Sequence, residues 1–299
     1  MYICRLNDKL RSQYGCKVYK LALSSGCGCP NRDGNTGTRG CIFCDGAGAF
    51  AETGPIQEQL QRAKARVAAK CHGGAKYIAY FQSFTNTYGP IERLEPLYRA
   101  AITPEDVVAL SIATRPDCLS TAVLELLEDL NRIKPVWVEL GLQTIHPATA
   151  DYIRRGYDLS VYDQAVRELK ARGMTVVVHQ ILGLPGETAE MMAETSRYIG
   201  QSGADGIKLH LLHIIRSTDL AVEWEAGRVE VMGLEDYIRA LELCVENLPR
   251  DMVIHRLTGD GAKRDLLAPL WSGDKKRVLN AINTAFLRDN AEQGRLYMG

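Results

Sequence analysis

Residues 26–48 read GCGCPNRDGNTGTRGCIFCDGAG, and this stretch holds four of the nine cysteines of the 299-residue chain. A segment so rich in glycine is poorly suited to packing a core, so its thiols are available for another purpose. Cys41 and Cys44 are separated by two residues, which lets both sulfurs turn onto one metal centre, and Cys29 can return across the loop as a third ligand. Three thiolates indicate an iron–sulfur cluster with one iron left open.

A structural zinc site is the main alternative for these cysteines, because thiolates select zinc as well as iron–sulfur clusters. Zinc requires a fourth ligand, and Cys27 is the only close candidate. The sequence contains no second paired-cysteine motif and no histidine pair at the spacing of a zinc ribbon or finger. Buried free thiols are disfavoured by the glycine content, and a disulfide framework is disfavoured because nothing marks the chain as secreted.

The composition is that of one large enzymatic domain. The chain is 46% hydrophobic, and a barrel of this length commonly forms a single domain. No apolar run is long enough to span a bilayer, and residues 1–8 lack the apolar core of a signal peptide. We therefore expect a cytoplasmic protein with reduced thiols and no membrane partner.

Short apolar runs alternate with longer segments of helical periodicity, which is typical of a parallel α/β barrel or open sheet. The predicted strands are Lys17–Leu23, Tyr77–Gln82, Val107–Ala113, Trp137–Leu142, Thr175–Leu182, Gly206–Leu212 and Met252–Leu257. The predicted helices include Ile56–Lys70, Ile91–Ala101, Thr121–Ile133, Tyr162–Arg172 and Leu234–Asn247, followed by a terminal basic helix.

Polar side chains recur where the predicted strands end, and parallel α/β folds place their chemistry at this carboxyl edge. They are Gln82, Thr85 and Asn86; Thr114, Arg115 and Asp117; Glu139 and Gln143; His179 and Gln180; and His210 and His213. A lone histidine within an apolar run is more often a core residue than a ligand, and this alternative stays open for His179. Because strand side chains alternate, His210 and His213 are expected on opposite faces.

Seven short motifs, spread in order along nearly the whole chain, carry a family resemblance. They are Cys29-Pro30-Asn31-Arg32-Asp33-Gly34, Cys41-Ile42-Phe43-Cys44, Tyr80–Tyr88 (YFQSFTNTY), Thr114–Asp117 (TRPD), Glu139–Thr144 (ELGLQT), His179–Glu187 (HQILGLPGE) and Ile254–Asp260 (IHRLTGD). The set resembles radical S-adenosylmethionine (SAM) enzymes of the YtqA/YhcC type. That group is related to the radical SAM domain of the Elongator catalytic subunit.

The resemblance implies an α/β fold, namely a radical SAM partial (β/α)6 TIM-like barrel with a C-terminal α/β extension. The sequence pattern changes after Asp219, so residues 1–219 are expected to form the core, including the N-terminal cluster loop, and residues 220–299 an extension packed on it. Lys17–Leu23 would lead into the cluster loop, and Met252–Leu257 would be a strand added beyond the six of the barrel.

The resemblance also implies two cofactors, a 4Fe–4S cluster and S-adenosylmethionine. Cys29, Cys41 and Cys44 would bind three irons, and the fourth iron would chelate the amino and carboxylate groups of SAM. Reductive cleavage of SAM would then generate the radical that removes a hydrogen from the substrate. Cys27 departs from the family pattern, so its role stays open.

Seven further residues resemble positions that contact SAM. They are Phe43 near the adenine, Gln82 at the strand end that receives the methionine amino group, Thr114, Arg115, Gln143 and Arg155 at the ribose or the methionine carboxylate, and His179 at the ribose. An arginine suits a carboxylate because its planar fork can bond both oxygens. On its own, Arg155 would be interpreted as a solvated charge at a helix end, and the strand end at Gln82 lacks the glycines of many relatives.

The substrate implied by the resemblance is transfer RNA (tRNA). YtqA-type proteins are associated with the wobble uridine, converting 5-carboxymethylaminomethyl(-2-thio)uridine to 5-aminomethyl(-2-thio)uridine. The implied partners are tRNA, a one-electron reductant such as flavodoxin or ferredoxin, and a tRNA methyltransferase that acts next. Two alternatives stay open, a radical SAM enzyme acting on a small metabolite and a noncatalytic zinc-stapled RNA-binding module.

Clusters of basic residues bear on the RNA hypothesis, because the net charge of zero gives no argument for nucleic acid by itself. They are Arg62, Lys64, Arg66 and Lys70; Lys263 and Arg264; and Lys275, Lys276 and Arg277. Such local patches could track phosphates despite overall neutrality. Ordinary solvated helix faces explain them equally well.

Overall fold

The computed structural model describes residues 2–46, 51–71, 74–259 and 264–299. Its main sheet is parallel and curls into a half-barrel. The strands in spatial order are β1 (Val18–Leu23), β2 (Lys76–Phe81), β3 (Val107–Thr114), β4 (Val136–Gln143), β5 (Thr175–Leu182), β6 (Gly206–Leu211) and β8 (Val253–Arg256). A second, antiparallel sheet pairs β7 (Ile214–Ile215) with β9 (Leu266–Ala268).

Ten α-helices of the described residues accompany these strands. They are α1 (Leu6–Tyr14), α2 (Ile56–Ala68), α3 (Ile91–Ile102), α4 (Thr121–Asn131), α5 (Pro147–Tyr152), α6 (Leu159–Ala171), α7 (Ala189–Gln201), α8 (Asp219–Glu225), α9 (Leu234–Glu246) and α10 (Lys275–Arg288). Within the described ranges, no helix is both long enough and apolar enough to cross a bilayer.

The two faces of the half-barrel differ in character, as the alternation of strand side chains requires. The outward face packs under the helices and is apolar; Phe81 of β2, for example, meets Tyr98 of α3 edge to face with ring centroids 5.0 Å apart. The inward face carries polar side chains in the middle of the strands, among them Glu139 and Lys208. The chemistry of the fold therefore lies inside the barrel and at its carboxyl edge.

Helix α1 forms the floor of the half-barrel. Its buried Leu10 packs against Val18, Ile78, Ala109 and Trp137, which lie near the amino ends of the first four strands. The helix ends at Gly15, whose φ of 68° is the left-handed conformation that glycine adopts without strain. This layer covers the amino ends of the first four strands.

Both edges of the main sheet are partly covered. The chain before α1 runs beside β8. There the Ile254 backbone N–H donates to the Cys4 carbonyl at 2.8 Å, and the backbones of Arg5 and Ile254 form a parallel β-bridge. At the other edge, Glu52 forms a bridge with Leu23 of β1. Such covering removes exposed edges that could pair with another chain.

The strands predicted from the sequence are confirmed to within one or two residues at each end, and the last of them pairs with β6 as an addition to the six. Four helices, α1, α5, α7 and α8, were not predicted as separate elements. The predicted Ile254–Asp260 motif ends at residue 260, which lies outside the described residues, as does Lys263.

We expect Leu10→Ala to destabilise the protein by about 2–5 kcal/mol, because it leaves a cavity between α1 and the strand floor. The free energy of unfolding from denaturant titration measures this loss. Lys9→Ala is the matched control, since Lys9 is exposed on the same helix. Equal stabilities of the two variants would show that α1 does not support the barrel.

Candidate active site

The loop that follows β1, residues 24–46, is called the cysteine loop here and lies at the carboxyl edge of the half-barrel. Its backbone is held to itself where Thr36 donates to the Pro30 carbonyl at 2.7 Å and Gly40 donates to the Asn31 carbonyl at 2.6 Å. The Thr85 N–H donates to the Gly28 carbonyl at 3.2 Å and so joins the loop to the segment after β2.

Asn31 is the central anchor of the cysteine loop. Its side chain is buried and donates from Nδ2 to the Arg154 carbonyl at 2.6 Å, while Cys41 Sγ lies 3.5 Å from the same nitrogen. A Cβ on Gly37 would come within 2.4 Å of Asn31 Oδ1, so this position has room only for glycine. A glycine of the loop thereby allows a buried amide to position a cysteine.

In the CX11CX2C spacing, Cys29 and Cys44 each lie close enough to Cys41 to act on it electrostatically. Burial, then the charge of Cys44, raises the pKa of Cys41 to about 11, with a smaller contribution from Cys29; Arg115 and the Asn31 amide oppose this rise. Each of these thiols is only partly exposed. Thiols release their protons when a metal binds the sulfur, so this donor set suits a metal cluster.

Cys27 does not join this group. Its side chain is 6% exposed, lies in the main core near Leu94, and points its Sγ at the Asn86 carbonyl at 3.7 Å. Across the described part of the chain, no three His, Cys, Asp or Glu side chains converge as a single metal ion would require. A tetrahedral zinc site built on Cys27 therefore does not fit, whereas an iron–sulfur cluster takes each ligand on a different iron.

Arg115 places a permanent positive charge beside the cysteine loop. Its guanidinium binds both Asp117 carboxylate oxygens, at 2.8 and 2.7 Å, and lies 5.2 Å from the centre of the Tyr157 ring. Burial lowers the pKa of Arg115, but Asp117 and the charges of Cys41 and Cys29 outweigh burial and raise it. This cation offsets the negative charge that deprotonated cysteines would add.

Thr114 and Gln143 end β3 and β4 at the same edge. Thr114 Oγ1 lies 2.5 Å from Thr87 Oγ1, which fixes the segment after β2 against β3. Gln143 follows a register shift in the β4–β5 pairing and has a φ of 71°. A left-handed conformation at a non-glycine residue is costly and is found more often at functional sites. The SAM contact predicted for Gln143 stays a prediction.

Arg155 is almost wholly engaged by backbone carbonyls. It donates to Tyr157 O at 3.1 and 3.0 Å and to Thr144 O at 2.6 Å, and its side chain is buried. In this structure it braces the chain after β4, rather than lying as a solvated helix-end charge. Its predicted contact with the SAM carboxylate stays a prediction.

The remaining predicted contacts lie around the same edge. Phe43 is partly buried and packs against a second apolar cluster, which includes Ile42 and Ile153. The Gln82 backbone N–H donates to the Leu23 carbonyl at 3.3 Å, directly after β2. Both positions are compatible with the contacts predicted for them, which stay predictions.

Inside the barrel, the fully buried Glu139 of β4 is the centre of a charged network. Its Oε1 accepts from Lys20 Nζ of β1 at 2.8 Å and from Ser111 Oγ of β3 at 2.7 Å. Its Oε2 accepts from His179 Nε2 of β5 at 2.8 Å and from Lys208 Nζ of β6. Burial favours the neutral acid, but Lys20 and Lys208 outweigh it and hold the pKa of Glu139 well below its usual range.

The same network lowers the pKa of its basic members. Burial, and then the charge of Lys208, lowers the pKa of His179 to about 4, so the ring is neutral at pH 7. Burial also lowers the pKa of Lys208 to about 7, against the attraction of Glu139. His179 is therefore tied to Glu139 as part of the barrel interior, which leaves its ribose contact a prediction.

Glu139 and His179 were among the polar residues predicted at the strand ends, whereas Lys20 and Lys208 were not predicted as site residues. A signal was present, because each is a lysine in the middle of a mainly apolar strand, VYKLAL and GIKLHL. The strand alternation places both on the inward face. A lysine at such a position requires a buried partner, and Glu139 supplies it.

We expect His210→Phe to reduce the loss of folding stability that occurs as the pH falls. Burial first, and then the nearby charges of His179, Arg256 and Lys208, hold the pKa of His210 well below its ordinary 6.5. Below about pH 6.5, His210 is therefore protonated in the unfolded chain but not in the folded chain. Its contribution to the free energy of unfolding is fully present above about pH 6.5 and is lost as the pH falls toward the folded-state pKa.

Urea midpoints between about pH 7 and pH 5 test this prediction, because the variant should lose less stability than the wild type over that interval. The slope with pH decides the question, whatever the substitution does to stability at pH 7. Parallel pH profiles would show that His210 is not the source of acid sensitivity.

The fold and the cysteine loop define the class of protein, and comparison with known families agrees. Residues 24–199 match the model of the radical SAM superfamily, and residues 204–288 match the radical SAM C-terminal domain. The chain belongs to the radical SAM superfamily. It is an iron–sulfur enzyme whose cofactors are a 4Fe–4S cluster and S-adenosylmethionine. The predicted domain boundary at residue 219 stays a prediction.

Individual relatives agree with the predicted subgroup. The chain is 42% identical over 296 residues to the uncharacterized protein YtqA of Bacillus subtilis, covering 98% of this chain and 92% of that one. It is 27% identical over 157 residues to a tRNA uridine(34) acetyltransferase of Methanocaldococcus jannaschii, covering 51% and 28% of the two chains.

One solved structure shares the fold over most of the chain. The Methanocaldococcus infernus Elp3 with an N-terminal deletion matches with a TM-score of 0.72 at 18% identity. The match covers 92% of this chain and 64% of that chain. At this identity the likeness concerns the fold.

Proposed function

We propose that this radical SAM enzyme modifies the wobble uridine of tRNA, converting 5-carboxymethylaminomethyl(-2-thio)uridine to 5-aminomethyl(-2-thio)uridine. The observation that carries the proposal is the sequence similarity, over about half of this chain, to a protein named tRNA uridine(34) acetyltransferase. The near-full-length similarity to YtqA supports the same subgroup. A tRNA substrate places the enzyme in the cytoplasm.

Within this proposal, Cys29, Cys41 and Cys44 hold the cluster. The observations that favour this ligand set are the proximity of the three thiols, the Asn31 amide beside Cys41, and the burial of Cys27 elsewhere. When bound, the cluster and SAM supply the one-electron chemistry that leads to removal of a hydrogen atom from the substrate.

The side chains of the protein itself bind and orient the cofactors. Arg115 stays protonated and balances the charge of the cysteine loop, while Arg155 holds the backbone from which Gln143 projects. Phe43, Gln82, Thr114 and His179 complete the proposed SAM contacts from the predicted set. Helix α1 supports the barrel on the amino side, where Leu10 packs against the first four strands.

The basic clusters differ in their availability for RNA. On α2, Arg62 pairs with Glu52 and Glu58, at 3.0 and 3.1 Å, Arg66 pairs with Glu52 at 2.8 Å, and Lys64 pairs with Asp106 at 2.5 Å. Three cations thus face three carboxylates. The cations of α2 are therefore already balanced. The start of α10 is the better candidate for tRNA phosphates, because three consecutive basic residues, 275–277, are exposed there.

The proposed partners follow from the chemistry. Reductive cleavage of SAM requires a one-electron donor such as flavodoxin or ferredoxin. The proposed product carries a primary amine, which is a substrate for a tRNA methyltransferase that acts next.

We expect Cys41→Ser to prevent cluster assembly and Cys27→Ser to permit it. Cys41 lies with the other two proposed ligands, whereas Cys27 points into the core. Anaerobic reconstitution followed by iron and sulfide analysis, and by assay of 5′-deoxyadenosine after addition of SAM and dithionite, measures the difference. Loss of the cluster from Cys27→Ser alone would reverse the ligand assignment.

The substrate proposal has its own test. In a strain lacking this gene, nucleoside mass spectrometry of tRNA should find the carboxymethylaminomethyl group in place of its aminomethyl product. The purified, reconstituted enzyme with SAM and reductant should convert that tRNA, and Cys41→Ser should not. Unchanged tRNA in both experiments would reject the tRNA function while leaving the radical SAM class intact.

A further inference from the structure

A cavity of about 450 Å3, open to solvent, lies on the open side of the half-barrel, between the edge strands β1 and β8. It extends from α1 at the amino end to Gln82 at the carboxyl edge, where the SAM contacts are proposed. The residues that line it include Lys17, Lys20, Lys70, Tyr80, Lys208, His255 and Arg256.

The cavity wall is strongly basic. Five of its described lining residues are lysine or arginine, and none of those described is aspartate or glutamate. The Lys208 side chain is 5% exposed and that of Lys20 is 22% exposed, so two of these cations are held away from bulk solvent. A cation in such a place interacts with an anion more strongly than one on the surface does.

The buried carboxylate beneath this wall does not neutralise it. Glu139 already accepts four hydrogen bonds, two of them from Lys20 and Lys208. One carboxylate thus faces two lysines at the network. Arg256 lies near enough for its charge to act on Lys208, so a further basic side chain is close to this pair.

Unused hydrogen-bond capacity faces the same space. An ammonium group has three donors, and Lys208 uses two of them, one to Tyr80 OH at 2.9 Å and one to Glu139. Nδ1 of His255, on the cavity wall, is buried and has no hydrogen-bond partner among the described residues. A buried polar atom without a partner is costly, so the site favours a ligand that would satisfy it.

We propose that this cavity binds the carboxylate of the substrate's modified base, with Lys20, Lys208 and Arg256 as its recognition cations. The inference rests on the proposed tRNA function, because it assigns a binding site to the carboxymethyl group that the reaction removes. The cavity reaches Gln82, so a base bound there lies next to the proposed SAM site. Backbone phosphates are the competing source of negative charge.

Two tRNAs that differ only in the carboxymethyl group, and so in this carboxylate, separate the possibilities. One carries 5-carboxymethylaminomethyluridine at the wobble position and the other carries 5-aminomethyluridine, so both keep the amine and every phosphate. Binding to reconstituted enzyme without reductant is measured by fluorescence anisotropy. We expect the wild type to bind the carboxylate-bearing tRNA about tenfold more tightly or better, as a charge-assisted contact implies.

The variants Lys208→Met and Arg256→Gln should lose this preference while keeping the wild-type affinity for the aminomethyl tRNA. Lys9→Gln, which removes an exposed lysine outside the cavity, is the control and should keep the preference. Arg256→Gln serves as the second variant because Lys208→Met removes a deeply buried charge and its folding must be verified by circular dichroism.

The other outcomes overturn the inference in distinguishable ways. If the variants weaken both tRNAs by the same factor, the cations contact phosphates. If the wild type shows no preference and still converts the tRNA, the proposed function stands and the carboxylate site is wrong. If the wild type binds neither tRNA and leaves tRNA unconverted, the tRNA function fails and this inference fails with it.

Discussion

The buried carboxylate of Glu139 is the interaction on which the half-barrel interior depends. It accepts hydrogen bonds from β1, β3, β5 and β6, so one side chain joins strands that are far apart in the sheet. A buried carboxylate without partners would cost several kcal/mol, and a one-residue slip of any of these strands would turn the donor to the opposite face. The network therefore favours a single register for the inward face.

The cysteine loop is held on the half-barrel by a different set of contacts. Asn31 reaches the Arg154 carbonyl, and Arg154 in turn pairs with Asp219 at the start of α8 at 2.6 Å. Arg39 of the loop pairs with the same carboxylate at 2.9 Å. The loop is thus fastened to segments more than a hundred residues away, which keeps a glycine-rich chain in one arrangement without a core of its own.

Much of the architecture could be predicted from the sequence, because strand alternation and cysteine spacing are local signals. The strands and the cysteine triad are of this kind. The Lys20–Glu139 pair spans 119 residues, and nothing near Lys20 shows that a partner exists. Likewise, the spacing of Cys27 suggested a ligand, and only the fold shows that its side chain turns into the core.

The coverage of β8 by residues 4 and 5 also bears on the order in which the molecule folds. The Cys4 carbonyl accepts from Ile254, and the Cys4 N–H donates to Gln293 Oε1 at 2.8 Å. These contacts join residues that are far apart in the sequence, 289 positions for Cys4 and Gln293. Contacts of such separation are slow to form, so the edge of the barrel at β8 is expected to close later than the pairing of the inner strands.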